Sequence, residues 1–573
     1  MFQSRLHYFP LQPLIIGVIG LGLALLLTPS SWSVSSPASS MLLSEPFLLH
    51  PTADSVQVVW FTEFPGTQHI LQYGLNLENS AIATTTKLSK LREDAKSKIP
   101  NPPATITTRD VWRHVAIAKQ LPDGQSVSYR VSSLQEHQQA PFQSQIYQLQ
   151  AAPKPGQPLK ILLTSDHQLK PMVAANLEKA AAAIGRFDSV FFAGDLANVP
   201  DRASEWFDDE RGGAFFPCLQ GRAHYQLHGE TYRGAAILQA TPIFPALGNH
   251  EVMGRLNSKK DLNGQFADAY PRWAAQKYLN LDPKTPENLK NNSFNADSYR
   301  EIFDAPDYYA VTFGDIRLVV LYVTQIWRSP TLEPNQKGRY KENDTQLDDP
   351  TKWGFGQHIF ESLEAGSPQY RWLSNELVSS EFQQAKYKIV MLHHPPHTLG
   401  GNGVPPYTHP QQQVETEQDK TTRISYFYPP EQDLIIRDLI PLLENAGVQF
   451  VFYGHSHLWN RFQSESGMHF LETSNVGNSY GAHWEDLKPR AIPPNTPYAA
   501  TGDPNGLSPI VPTLNPLSDQ TGRFLPFVAS NQITVFSVFD STDGSVTSYR
   551  FDTRDHNNPV IPFDRFYLKN SGS

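Results

Sequence analysis

LKILLTSDHQ (residues 159–168) sets an apolar run directly against Asp166, His167 and Gln168. The layout recurs in SVFFAGD (189–195), KYKIVMLHH (386–394) and VQFVFYGHSH (448–457), while FPALGNHE (244–251) carries Asn249, His250 and Glu251 after Gly248. Between these runs lie helical patterns: Leu177, Ala180, Ala181 and Ile184 share one face, and QYRWLSNELVSS (369–380) and DLIIRDLIPLLENAG (433–447) precede later strands. Continuous apolar strands alternating with helices predict a layered α/β domain with buried strands. Polar clusters at five strand ends can meet, because such sheets place their sites outside the carboxyl ends of strands.

Upstream, AAPKPGQP (151–158) reads as a linker. Before it, SVQVVWFTE, HILQYG, HVAIAK and SVSYRVSSL alternate apolar with polar residues between turn residues. That period of two predicts antiparallel strands with one buried face, assembled as a β-sandwich over residues 41–150. The second domain is expected over 159–552, ending in ITVFSVFDSTDGSVTSYRFD, a hairpin turning at Asp543 and Gly544. Residues 201–240, 398–430 and 484–530 are polar and Pro-rich, and read as insertions or functional loops.

At the front, Arg5 precedes an apolar run from Leu14 to Leu27 and the small, polar stretch TPSSWSVSSPASS. Residues 1–40 are therefore expected to be a signal peptide or, uncleaved, a membrane anchor, which predicts export to the periplasm or outside the cell. A formal charge of -9 with no basic run argues against nucleic acid as the main partner. Cys218 is the single cysteine, so no intramolecular disulfide and no thiolate metal site exist. Any metal must be held by His, Asp, Asn or Gln.

The ordered series Asp166-x-Gln168, Gly194-Asp195, Gly248-Asn249-His250-Glu251, His393-His394-Pro395 and Gly454-His455-Ser456-His457 resembles the calcineurin-like metallophosphoesterase superfamily. VVWFTE, LQYG and HVAIAKQLPDGQSVSYRV resemble the fibronectin type III-like front domain of its purple acid phosphatase branch, and YYAVTFGDIRLVVL and QYRWLSNEL also look like elements of that branch. The resemblance implies an α/β (α+β) four-layer β-sandwich flanked by helices, preceded by an all-β sandwich. It further implies hydrolysis of phosphomonoesters or phosphodiesters by a hydroxide bridging two divalent metal ions.

Carried over by position, Asp166, Gln168 and His457 would hold the first metal, Asp195 would bridge both, and Asn249, His393 and His455 would hold the second. His250 would protonate the leaving group or steady the phosphoryl oxygens, with His394 and His397 as candidates for binding substrate. Relatives carry His where this chain has Gln168. If strand alternation persists, Asp166 and Gln168 share a direction and His167 points away. An amide oxygen shifts preference toward Mn or Mg and away from Zn, so two divalent ions are expected, Mn or Fe favoured and Zn or Mg admitted. QLKPMVAANL lacks the tyrosine that colours purple enzymes. The competing reading is a non-catalytic cell-surface binding protein that keeps the fold, and oligomeric state is left open.

Overall fold

In the computed structural model the described residues are 42–569, apart from 269–271, 273–274, 277–285, 328–356, 360, 401–410, 417–421, 428–429, 486 and 488–501. Residues 41–573 form one compact unit. The expectation of a signal or anchor falls on residues outside the described ones. The localisation is corrected accordingly: among the described residues no helix is long and apolar enough to cross a membrane.

Two sheets build the rear of the unit. The six-stranded sheet runs in the order Ile243–Pro245, Ser189–Phe192, Lys160–Thr164, Ile533–Asp540, Ser545–Asp552 and Ile561–Tyr567. Its first three strands are parallel and the rest antiparallel, with the expected hairpin turning between Asp540 and Ser545. The seven-stranded sheet runs Tyr309–Phe313, Ile316–Val320, Tyr387–Met391, Phe450–Tyr453, His469–Thr473, Trp459–Gln463 and Phe527–Val528. Alternate residues of both sheets, among them Ile161, Leu163, Phe191 and Phe539 from one and Leu318, Ile389, Phe452 and Trp459 from the other, share a single core. Period-two burial thus makes the two sheets a sandwich. The outer face of the seven-stranded sheet is covered by the helices Pro368–Leu377 and Ile440–Asn445, through Leu373, Leu377 and Leu443. The helix Val173–Ile184 covers the other sheet through Leu177 and Ala180. The result is a four-layer α/β architecture.

The front strands form a β-sandwich of a four-stranded and a five-stranded sheet. The strand Val56–Thr62 departs from the one-face expectation. Val58 and Trp60 enter the sandwich interior, whereas Val59 and Phe61 join the core around the helix Val173–Ile184. Both faces are covered because residues 201–240 are not a polar excursion. Phe207 and Phe216 of that segment lie 5.1 and 5.5 Å from Phe61, and Phe216 lies 5.0 Å from Phe47. Cys218 is fully buried there, its thiol pushed up to about 12 by burial, as befits a bystander. Beside this aromatic seam, Arg202 bonds Asp94 at 3.2 Å and Glu205 at 2.8 Å, all three buried.

Inside the front sandwich His69 and His114 stack at 3.6 Å. His114 contacts the hydroxyls of Thr62 at 2.8 Å and Thr85 at 2.9 Å, and its pKa falls to about 3 through burial and the neighbouring His69. Above pH 6.5 the folded and unfolded chains both hold it neutral. Between pH 6.5 and about 3 only the unfolded chain takes the proton, so stability declines on acidification by at most about 1.4 kcal/mol per pH unit. Urea midpoints measured from pH 7 to 4 should fall, and His114→Gln should make that fall less steep.

Candidate metal centre

The five strand ends bring their polar clusters to one rim shared by both sheets. Each strand stops short of its cluster: Lys160–Thr164 ends before Asp166, Ser189–Phe192 before Asp195, Tyr387–Met391 before His393, and Phe450–Tyr453 before His455. Asn249, His250 and Glu251 form a short helical turn after Ile243–Pro245. The chain then bends sharply. Asp166, Gln168, Asp195, His455 and His457 all have positive φ, between 41° and 84°. Five non-glycine residues held in the left-handed region at one place store strain that the surrounding contacts must overcome. Close packing explains two flanking glycines: a Cβ on Gly248 would strike Asp195, and one on Gly454 would strike Ser165 and Asp166.

Within this rim the candidates touch. His393 Nε2 lies 3.3 Å from Asp195 and 3.0 Å from the Asn249 amide oxygen, which His455 Nδ1 also approaches at 3.0 Å. His457 Nε2 lies 3.4 Å from Asp166, and the Gln168 amide nitrogen donates to Asp195. The backbone N–H of His250 donates to Asp195 at 2.8 Å, and that of His455 to Asp166 at 2.9 Å. Ring orientations are set from behind. His393 Nδ1–H donates to Ala193 O at 2.7 Å and His457 Nδ1–H to Asn478 O at 3.0 Å, which turns each Nε2 toward the carboxylates. His250 Nδ1–H likewise donates to Asn198 O at 2.6 Å.

His394 belongs to the same gathering: its ring lies 3.8 Å from that of His455, and its ligand atom is within 4.8 Å of those of His393 and His455. His397 is placed elsewhere. Its Nδ1 pairs with Asp503 at 2.8 Å and its ring packs on Phe470 at 4.7 Å and Phe462 at 5.8 Å. His167 does point away from the cluster, but not by strand alternation. The left-handed turn at Asp166 and Gln168 sends it into the core against Phe192 at 4.6 Å, and burial lowers it to about 3.

Two residues that the sequence reading passed over or left in a minor role hold the frame, and a third lies beside it. The Glu251 carboxylate accepts the N–H groups of Asp195, Leu196 and Gly248 at 2.8, 2.7 and 2.8 Å, tying two loops together. Glu472 does the same for the last cluster, accepting Ser456 N–H at 2.6 Å and the Thr398 hydroxyl at 3.0 Å, and burial next to Asp166 pushes it up to about 8. Its signal was a lone acid in the apolar stretch MHFLET. Lys170 has its charge near Asp195 and Asp166, while burial lowers its pKa.

The donor set suits divalent cations. Asp166 Oδ1 and Gln168 Oε1 are buried and accept no hydrogen bond. Burial acts against a charged His393, yet Asp195 outweighs it and pushes the imidazole up to about 10, so the cluster draws in positive charge. Two carboxylates, imidazoles and amide oxygens are ligands for Mn, Fe, Zn or Mg. Replacing Glu251 by Gln, which sets an NH2 against three N–H donors, should lower divalent-cation affinity about 10- to 100-fold with secondary structure intact, measured by chelator competition and circular dichroism.

Among curated proteins none matches the chain. A purple acid phosphatase from yellow lupin (Lupinus luteus) seeds has a similar fold, with TM-score 0.51 at 14% identity, covering 91% of this chain and 73% of that one. A structure of PhoD aligns with TM-score 0.40 at 13% identity, over 93% of this chain and 94% of that one. The family model for calcineurin-like phosphoesterases matches residues 159–458, just over half of the 573 residues. The strand-end clusters therefore stand in a known frame, and the chain belongs to the calcineurin-like phosphoesterases, metal-dependent enzymes that hydrolyse phosphoesters.

Proposed function

We propose that the chain hydrolyses phosphomonoesters or phosphodiesters at a dinuclear centre, with Asp166, Gln168 and His457 around one cation, Asn249, His393 and His455 around the other, and Asp195 between them. The observation that supports this reading is that neighbouring members of this set, His393 with Asp195 and Asn249, His455 with Asn249, and His457 with Asp166, meet at 3.0–3.4 Å at a buried rim. Bound there, the cations would supply Lewis acidity toward a phosphoryl oxygen and a lowered pKa for water.

The chain's own groups prepare the rest. Asp195 offers Oδ2 toward His393 and Gln168 while Oδ1 is steadied by His250 N–H, so its two oxygens face different partners. His250, its Nδ1–H fixed on Asn198 O, has Nε2 left to carry the proton given to the leaving oxygen, in a charged ring that burial opposes and Asp195 favours. His394, its ring tilted against that of His455, is read as a substrate contact, and His397 as a strap through Asp503. The Gln168 amide oxygen favours Mn or Mg over Zn. The front sandwich over 41–150 is read as fibronectin type III-like, and residues 159–552 as the catalytic domain.

Protein dialysed against chelator should be inert and regain turnover of p-nitrophenyl phosphate or bis-p-nitrophenyl phosphate with Mn. Asp195→Ala should lose at least about 10²–10³-fold in kcat/KM, on the scale of one electrostatic group in a dry site. Unchanged turnover by that variant removes the assignment.

A further inference from the structure

Tyr480 is a large aromatic residue left 37% exposed beside the cluster. Its ring lies 5.1 Å from that of His457 at an interplanar angle of 20°, a stacked arrangement. The loop beneath it is fixed at several points. Asn478 donates from Nδ2 to the Tyr480 hydroxyl at 3.0 Å while its carbonyl accepts His457 Nδ1–H at 3.0 Å. Ser479 N–H is held by Asn531 at 2.7 Å, and Gly477 and Asn478 carry positive φ that closes the turn. On the His250 flank a second aromatic, Phe266, lies 5.0 Å from the imidazole.

A ring that served only as filler would be covered. One pinned by its hydroxyl, its neighbours and a stacked imidazole, yet open to solvent, has a preorganised apolar surface to offer an incoming group. His457, whose Nε2 lies 3.4 Å from Asp166, separates the ring from the carboxylates, so a group resting on Tyr480 lies within one small molecule's length of them.

We propose that Tyr480 is a stacking platform for a planar aromatic group carried by the phosphoester, an aryl ring or a nucleobase, and so sets a preference over alkyl phosphates. The inference rests on the hydrolase reading given above. Tyr480 would touch the substrate without joining the reaction. The competing role is that it merely positions His457, in which case all substrates and cation binding would suffer alike.

The test uses the full chain loaded with Mn. For the parent, Tyr480→Ala and Tyr480→Phe, kcat/KM is measured with p-nitrophenyl phosphate, adenosine 5′-monophosphate and glycerol phosphate, and Mn per chain is determined. Relative to the parent, Tyr480→Ala should lower the aromatic-to-glycerol ratio about tenfold, chiefly through KM, with Mn content kept, and Tyr480→Phe should restore it. A fall with both aromatic substrates assigns any planar ring; a fall with the nucleotide alone assigns the base. An unchanged ratio, or equal losses with reduced Mn, overturns the platform alone. Absence of turnover of all three by the parent overturns the hydrolase reading and the platform with it.

Discussion

Buried carboxylates must be met by positive charge, and the rim of this molecule is organised around two of them, Asp166 and Asp195, at 0% and 1% exposure. Stripping water from such groups without compensation costs several kcal/mol each. The chain answers in two tiers. Backbone N–H groups and imidazoles face the inner pair. Behind them a second pair of acids, Glu251 and Glu472, is turned outward onto backbone amides of the same loops and holds those loops in place. Both outer acids have pKa values raised by burial and by the inner charges. The left-handed backbone at five cluster residues is the mechanical counterpart of that electrostatic tension.

Much of this frame was legible because apolar strands and terminal ligands obey simple rules. Ile161, Leu163 and Val190 had to be buried, and whatever followed them had to emerge at the carboxyl rim. Gln168 shows the limit of such rules. Alternation gave the right direction for a reason that does not hold, since the strand ends at Thr164 and a left-handed turn does the aiming. Glu472 stood out as an acid in MHFLET, yet its role was not legible, because its partners come from Thr398 and Ser456, distant in sequence or on another loop. His397 looked like its neighbour His394, but its side chain is claimed by Asp503, 106 residues away.

The segment 201–240 was misjudged for a related reason. Its Gly, Pro and charged residues gave it the look of a loop, while Trp206, Phe207, Phe215 and Phe216, spaced without regular period, are all buried. Irregular apolar residues carry no periodic signal, yet they can fill a seam between two elements of different type.

That seam bears on how such a protein changes over generations. The strand Val56–Thr62 lends Val58 and Trp60 to one interior and Val59 and Phe61 to the other. Deleting the front sandwich would bare the Phe207–Phe216 surface to water, and exchanging it for an unrelated module would leave those rings without their match. The two halves are therefore bound to diverge together, each substitution at the joint answered by one across it, instead of being shuffled as independent cassettes.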